Sequence, residues 1–436
     1  MTFPKTVKTT LWDIINEMSL SPSSFVKNPD CDFSRKRKLD FQTMMQLMIS
    51  MESGCLNHEL LKFFDYDTNT PTCSAFYQQR SKFSLSAFRH LLKEFNTKFS
   101  LEKFDEKYFL IACDGSEFSI PRNQDDTDTF HEPNGKSASG FNTLHTVSLY
   151  EISSKRYLDL EVQPGRLKNE FQAFCNLMDR YSYDGNPIFI ADRGFASYNV
   201  FAHAIENNLH FMIRAKDVNV QRYLGTDYLP DSLDASVELI LSRSQSKKKR
   251  KHPELISSYR YIGYACAFDY LNPNDRYDEY LMKFRIVRFQ VADGVFENII
   301  TNLPTEIFTA DKIKYYYHLR WGIETAFRDL KHTIGTTQFH SKKTEFITFE
   351  LFCRLILYNF CSVIILHTAI KDRKRKYTYQ VNFSLAMKIC FDFLNRKVTS
   401  NVESLISKHI LPIRPKRNYV RQHRVQKPAG FSYRYI

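Results

Sequence analysis

The spacing of apolar residues changes character twice along this chain. Through about residue 100 it is helical. LDFQTMMQLMISME, from Leu39, and FSLSAFRHLLKEFNTKF, from Phe83, place apolar side chains three and four residues apart, the period of a half-buried helix. From about residue 107 the period shortens. KYFLIACD is an apolar run that ends on Asp114-Gly115-Ser116, TLHTVSLYEI alternates, and RYLDLEVQ follows after the turn-forming Ser153-Ser154-Lys155, which predicts a hairpin. NEFQAFCNLMDRY returns to helical spacing, and PIFIADRGF reads as another buried strand, ending on Asp192. A short helix then leads to the strand LHFMIRAK. The predicted order is β-β-β-α-β-α-β, with acidic residues closing the first and fourth strands beside Gly115 and Gly194.

Residues 217–302 form a different block. The strand-like pieces SVELILS, YRYIGYACAF, YLMKFRIVRF and VFENIITNL are separated by polar loops, one of them the basic run Lys247 to Lys251, and predict a β-rich insertion. A long helix is expected from about Ala310 to Thr333, then apolar helices over 345–370 and 380–396. The longest apolar stretch, Phe349 to Leu366, carries Glu350, Arg354 and Asn359, which suits a buried helix better than a membrane span. From Arg414 onward the chain is basic and has no apolar period, so it reads as an extended tail.

Composition narrows the function. At 43% hydrophobic and 25% charged, the chain is no disordered segment, and 436 residues exceed what one core usually organises. A formal charge of +13 favours a polyanionic partner. The basic cluster Arg35 to Lys38 fits either a solvated run or a DNA contact. Nine cysteines show no CxxC pair, and Cys113, Cys353 and Cys361 lie within apolar runs, so they read as buried thiols in a reducing compartment. With no signal-peptide pattern at the start, the expected location is the cytoplasm.

The chemistry is concentrated in YHLRWGIETAFRDLK. Arg320, Glu324 and Lys331 follow Tyr317 by three, seven and fourteen residues. On a regular helix the four fall within an arc of roughly 60°. Alone, a carboxylate between two cations is often a surface ion pair. Two strand-end aspartates upstream change that reading. Asp114, Asp192 and Glu324 supply the three hard carboxylates of a phosphoryl-transfer site that holds two divalent cations about 4 Å apart, and Arg320 and Lys331 are then placed to hold phosphates. Arg193 would either touch phosphate or brace Asp192. His145 reads as a core or hairpin histidine, Trp321 as packing against the sheet, and Glu117 as a solvated loop acid.

The arrangement resembles the DDE transposases of bacterial insertion sequences, specifically the insertion-sequence-four family, marked by Y-x2-R-x3-E-x6-K. Tyr317, Arg320, Glu324 and Lys331 match that signature without a gap, and Asp114-Gly115-Ser116 and IADRGF around Asp192 match the family's two aspartate neighbourhoods. TNLP, from Thr301, and LRWGIE resemble its entry into the last catalytic helix. The resemblance implies an α/β fold: a ribonuclease-H-like catalytic core at 104–216 and 303–410, interrupted by the β-rich insertion at 217–302. A helical N-terminal DNA-binding region at 1–103 and a basic tail at 411–436 complete it. It also implies that Asp114, Asp192 and Glu324 are the catalytic, metal-binding triad, working with Mg2+ or Mn2+, and that Tyr317, Arg320 and Lys331 contact DNA, joined by Arg193 if it touches phosphate. The implied activity is cleavage and strand transfer at insertion-sequence ends, by a homodimer on double-stranded DNA (terminal inverted repeats and target), in a nucleoid-associated cytoplasmic protein without a membrane partner. The alternatives are a metal-dependent nuclease without strand transfer and a domesticated DNA-binding protein.

Overall fold

Segments with three- and four-residue spacing become helices in the computed structural model, which describes residues 2–413 except 136, 247–249, 336–337, 371–376 and 399–400. The basic tail from Arg414 and residues 247–249 of the Lys247–Lys251 run lie outside the described residues. The first part of the chain forms α1 (Phe3–Leu20), α2 (Phe41–Ser50), α3 (Leu56–Phe63), α4 (Cys73–Arg80) and α5 (Leu85–Lys98). Local chemistry sets their starts: the Asp40 carboxylate accepts the Thr43 N–H at 2.8 Å and so caps α2. Arg35 to Lys38 remain exposed ahead of it.

The middle of the chain runs β1 (Tyr108–Ile120), β2 (Phe130–His131), β3 (Phe141–Glu151), β4 (Arg156–Pro164), α6 (Glu170–Asp179), β5 (Asn186–Ala191), α7 (Tyr198–Glu206), β6 (His210–Ala215), α8 (Asp217–Leu224), β7 (Leu233–Ser242), β8 (Tyr259–Tyr261), β9 (Glu279–Ala292) and β10 (Val295–Thr301). The strands join in one mixed sheet of order β2-β3-β1-β5-β6-β10-β9-β7-β8, with β4 also on β3. β1, β5 and β6 pair in parallel, and α6 and α7 provide their connections. The β-rich segment continues this sheet, since β10 pairs antiparallel with β6. YRYIGYACAF was expected to be a full strand, yet only Tyr259–Tyr261 pairs, and Tyr261 and Tyr264 are exposed. Without a partner strand beyond that point, the apolar run has nothing to pair with.

Side-chain parity sorts the sheet into two faces. Phe109, Ile111 and Cys113 of β1, with Phe189 and Ala191 of β5, pack against α6 and α7. The even positions point the other way. Ala112 joins the core shared with the N-terminal helices, while Leu110, Ile188 and Ile190 meet Ile313, Tyr316 and Tyr317.

The expected single helix over 310–333 is segmented: α9 (Ala310–His318), a 3-10 turn (Leu319–Trp321), α10 (Gly322–Arg328) and a π turn (Asp329–Thr333). Then come α11 (Thr344–His367), β11 (Tyr379–Val381), α12 (Phe383–Leu394), α13 (Val402–Lys408) and β12 (Ile410–Pro412), which pairs with β11. α11 is long and apolar enough to cross a membrane, but nearly all of it is buried within the protein. It packs against α1, α2, α5 and α12, so the N-terminal and C-terminal helices share one core. Its Glu350, Arg354 and Asn359 are all engaged. Glu350 accepts the His340 N–H at 2.8 Å, Arg354 donates to the Met51 and Glu52 carbonyls, and Asn359 lies in a network reaching β4 and α5.

Asn359 is fully buried; it accepts from the Tyr157 N–H at 2.8 Å and donates to the Tyr157 carbonyl at 2.7 Å and to Asn96 Oδ1 at 2.9 Å. Asn359→Leu strands buried polar groups on two other elements, and a loss of about 2–4 kcal/mol is expected. Equilibrium urea unfolding checks this. A change under about 0.5 kcal/mol would mean the network contributes no more than surface hydrogen bonds do.

Candidate active site

The parallel pairing of β1 and β5 ends with Cys113 opposite Ala191, so the next residues, Asp114 and Asp192, leave the two strands side by side. Both occupy even positions and project toward α9 and α10. β1 itself does not stop at Asp114, as its apolar run suggested. It continues to Ile120 because β3 keeps pairing with it, Asp114 opposite Ser148. Asp192 instead leaves its strand at once and caps a short 3-10 turn, accepting the Gly194 N–H at 2.7 Å.

Arg320 organises the other side. Its Nη2 donates to Glu324 Oε1 at 2.9 Å and its Nη1 lies 3.6 Å from Asp114 Oδ2, so the guanidinium stands between the two carboxylates. Arg320 is almost fully buried, and among the described residues its Nε has no hydrogen-bond partner. Burial works against its charge, but Tyr317, Glu324 and Asp114 outweigh that and shift its pKa upward. Burial also raises Asp114, from 3.8 to about 6. Arg320 and the Gly115 N–H oppose that rise, while Asp192 and Glu324 add to it. Burial is the main cause, and the neighbouring carboxylates add to it.

The remaining sequence candidates divide. Tyr317, only 5% exposed, is packed against the sheet, where burial pushes its phenol well up. Lys331 Nζ donates to the Glu117 carbonyl at 2.8 Å and lies over the Phe118 ring, so it is held to β1 on the same side as the acids. Arg193 is exposed, with no ion pair to Asp192 among the described residues. Trp321, expected to pack on the sheet, is 49% exposed, with the Arg320 guanidinium against its ring. Its place in the 3-10 turn rotates it away from the core. Glu117, expected in a loop, lies in β1 and pairs with Lys168 at 2.9 Å.

Sequence reasoning missed Glu170. It opens α6, whose cap is the Asn169 side chain, and it looks like an ordinary first-turn acid. In the fold its Oε1 comes within 3.0 Å of the Nε2 of buried His145, which holds its carboxyl below the usual range against burial. Glu170 also shares the electrostatic environment of the aspartates. After burial, the charges of Asp114, Asp192 and Glu170 are what raise the Cys113 thiol. The helical spacing of NEFQAFCNLMDRY marked the helix that Glu170 opens, but nothing in the sequence pointed to its partner on β3.

The donor set is all hard oxygen, and glycines at 115 and 194 keep room beside both aspartates. A Cβ at Gly194 would sit 2.9 Å from Asp192 Oδ1, and one at Gly115 would sit 3.0 Å from the His145 ring. These features fit a divalent cation of the Mg2+ or Mn2+ kind. Among the described residues no three acidic, His or Cys side chains are gathered tightly enough to enclose a metal ion. Arg320 supplies the positive charge between Asp114 and Glu324.

The Asp114 shift has a pH signature. A carboxyl raised in the fold contributes stability that is present below its unfolded value near 3.8 and lost as pH rises through about 6. In EDTA, Asp114→Asn should therefore be more stable than wild type by about 2 kcal/mol at pH 7–8, with the gain fading between pH 6 and 4. Thermal melts across that range test it. A gain independent of pH would mean the Asp114 charge is not the cause.

A family model described as a transposase DDE domain matches residues 106–360. No curated protein matches the sequence. Among solved structures, a cryo-EM structure of the piggyBac transposase synaptic complex with hairpin DNA aligns over 95% of this chain and 87% of that one, at 10% identity and a TM-score of 0.45. A likeness at that score is too distant to bear on the site. The family match covers more than half of the chain, from the start of β1 into α11, and takes in Asp114, Asp192, Arg320 and Glu324. The protein therefore belongs to the transposases with a DDE domain, and it is a DNA transposase.

Proposed function

We propose that this transposase belongs to the insertion-sequence-four kind, cleaving the ends of a mobile element and joining them to target DNA. The observation that carries this reading is the meeting of Asp114 with Arg320 and Glu324, at the point where β1 and β5 release two aspartates side by side. The order of β1, β3, β4, α6, β5, α7 and β6 supports a ribonuclease-H-like core. DDE transposase domains work with divalent metal ions. In this reading Asp114, Asp192 and Glu324 would hold Mg2+ or Mn2+, which when bound activates the attacking oxygen and stabilises the leaving one.

The chain's own side chains do the rest. Arg320 has a buried Nε without a partner among the described residues, a donor suited to a phosphate oxygen of the scissile strand. With Asp114 and Glu324 engaged by a divalent cation, the Arg320 guanidinium would be free to hold that phosphate. Lys331 and exposed Arg193 add positive charge along the same edge, and Tyr317 braces the helix from beneath. The helices of residues 1–103, the exposed Arg35 to Lys38 cluster and the basic tail would extend the DNA contact, in a homodimer that pairs two terminal inverted repeats, on nucleoid DNA in the cytoplasm.

Asp114→Ala, Asp192→Ala and Glu324→Ala should each lower strand cleavage roughly 1000-fold while leaving gel-shift affinity for element-end DNA near wild type. Cleavage should stop in EDTA, return with Mg2+ or Mn2+ and fail with Ca2+. Joining of a cleaved end to target DNA separates transposition from simple nuclease action. Cleavage that persists in EDTA rejects the metal reading.

Arg320→Ala should weaken end binding and reduce the slope of log affinity against log salt by about one, the signature of one lost phosphate contact. An unchanged slope in fluorescence-anisotropy titrations would leave Arg320 only as the counter-ion of Asp114 and Glu324.

A further inference from the structure

Glu170 needs no explanation as a first-turn acid, because negative charge is favoured at a helix N-terminus. Its reach does need one. Its Oε1 lies 3.2 Å from where a Cβ on Gly115 would sit, and its Oε2 lies 3.9 Å from the equivalent point on Gly194. Asp192 Oδ1 lies 2.9 Å from that second point. The carboxylate thus spans the glycines that follow the two catalytic aspartates, and any side chain at either glycine would enter the space between them.

His145 supplies an independent observation. It is 3% exposed, and its Cε1 and Nε2 each lie 3.0 Å from the point above Gly115. Its Nε2 lies 3.0 Å from Glu170 Oε1 and lowers the pKa of that carboxyl, while among the described residues its Nδ1 has no hydrogen-bond partner. Buried polar atoms are nearly always satisfied, so an imidazole left this way beside a carboxylate points to something else that belongs there. His145 and Glu170 approach from the α6 face of the sheet, whereas Arg320 and Glu324 approach from the α10 face.

We propose that Glu170 is a fourth carboxylate of the metal centre, a positioning residue that holds water bound to the cation taken by Asp114 and Asp192, with His145 orienting it. The inference rests on the metal reading above. Mg2+ and Mn2+ keep several waters when bound by protein. A carboxylate beyond direct reach of the ion grips those waters, and such partners typically change metal affinity 10- to 100-fold. Glu170 Oε2 and Asp192 Oδ1 flank the same point above Gly194, yet among the described residues Glu170 forms no closed cluster with the aspartates. That is the position of a residue acting through water.

Mn2+ alone, titrated calorimetrically into the DNA-free protein, tests the assignment alongside metal-free thermal melts. Glu170→Gln should bind Mn2+ at least tenfold more weakly, beyond the lower metal-free melting temperature that loss of its charge beside His145 brings. Glu170→Asp keeps the helix-start charge but draws the carboxylate back from Gly115 and Gly194, so it too should lose several-fold in affinity. A role confined to the α6 dipole predicts that Glu170→Asp binds like wild type and that Glu170→Gln only melts earlier, and that result overturns the inference. Asp114→Asn separates the two levels. If it loses Mn2+ while both Glu170 variants bind as wild type does, the fourth-carboxylate assignment alone fails. If wild type binds no Mn2+, or Asp114→Asn binds it equally well, the metal reading itself fails and the assignment with it.

Discussion

The parallel register between β1 and β5 is the constraint on which the site depends. It aligns Cys113 with Ala191 and so delivers the following two acids to neighbouring positions on one face. Strand parity then fixes which face, because Leu110, Ala112, Ile188 and Ile190 already point to the side where α9 and α10 pack. A one-residue slip in that register would turn one aspartate into the α6 core and separate the pair. The long pairing of β1 with β3, from Ile111 to Ile120, guards against the slip by anchoring β1 on its other edge.

Burial first, and then the like charges of Asp192 and Glu324, raise the Asp114 carboxyl to about 6. The protein offsets this with one guanidinium. Arg320 is poised for that task by the change of helix type around it: the 3-10 turn at Leu319–Trp321 separates α9, whose Tyr316 and Tyr317 are locked into the sheet core, from α10, which carries Glu324 at the solvent edge. A regular helix would have kept Tyr317 and Glu324 on one face. The break lets one segment serve the core and the next serve the site.

Much of this was legible in the sequence, and the failures have physical causes. The strands carrying Asp114 and Asp192 announced themselves as apolar runs, and the spacing of Tyr317, Arg320, Glu324 and Lys331 identified the helix that faces them. The run through Asp114 hid the rest of β1 because Gly115 and Ser116 interrupt the alternation that resumes at Phe118 and Ile120. Trp321 was misplaced because periodicity assumes 3.6 residues per turn, and the 3-10 and π turns violate that on both sides of α10. Tyr264 and Cys266 lie in an apolar run that stays exposed, since pairing with β7 ends at Tyr261. His145 and Glu170 sit on different elements, and only the folded sheet brings them together.

The glycines after the aspartates show what a sequence motif encodes when backbone torsion is not the reason for it. Neither Gly115 nor Gly194 has the positive φ that would require glycine. What each position lacks is space for a Cβ. At Gly115 the obstruction comes from His145 and Glu170, and at Gly194 from the carboxylate of Asp192 two residues earlier. Both obstructions are polar side chains turned toward the same pocket, and a methyl group in either place would displace the groups that bear charge there. Pairing an acid with a nearby glycine therefore lets polar side chains close in beside the acid without a methyl group in the way. This happens where Asp114 and Asp192 leave the paired strands, and their charges, with that of Glu170, all reach the buried Cys113 thiol.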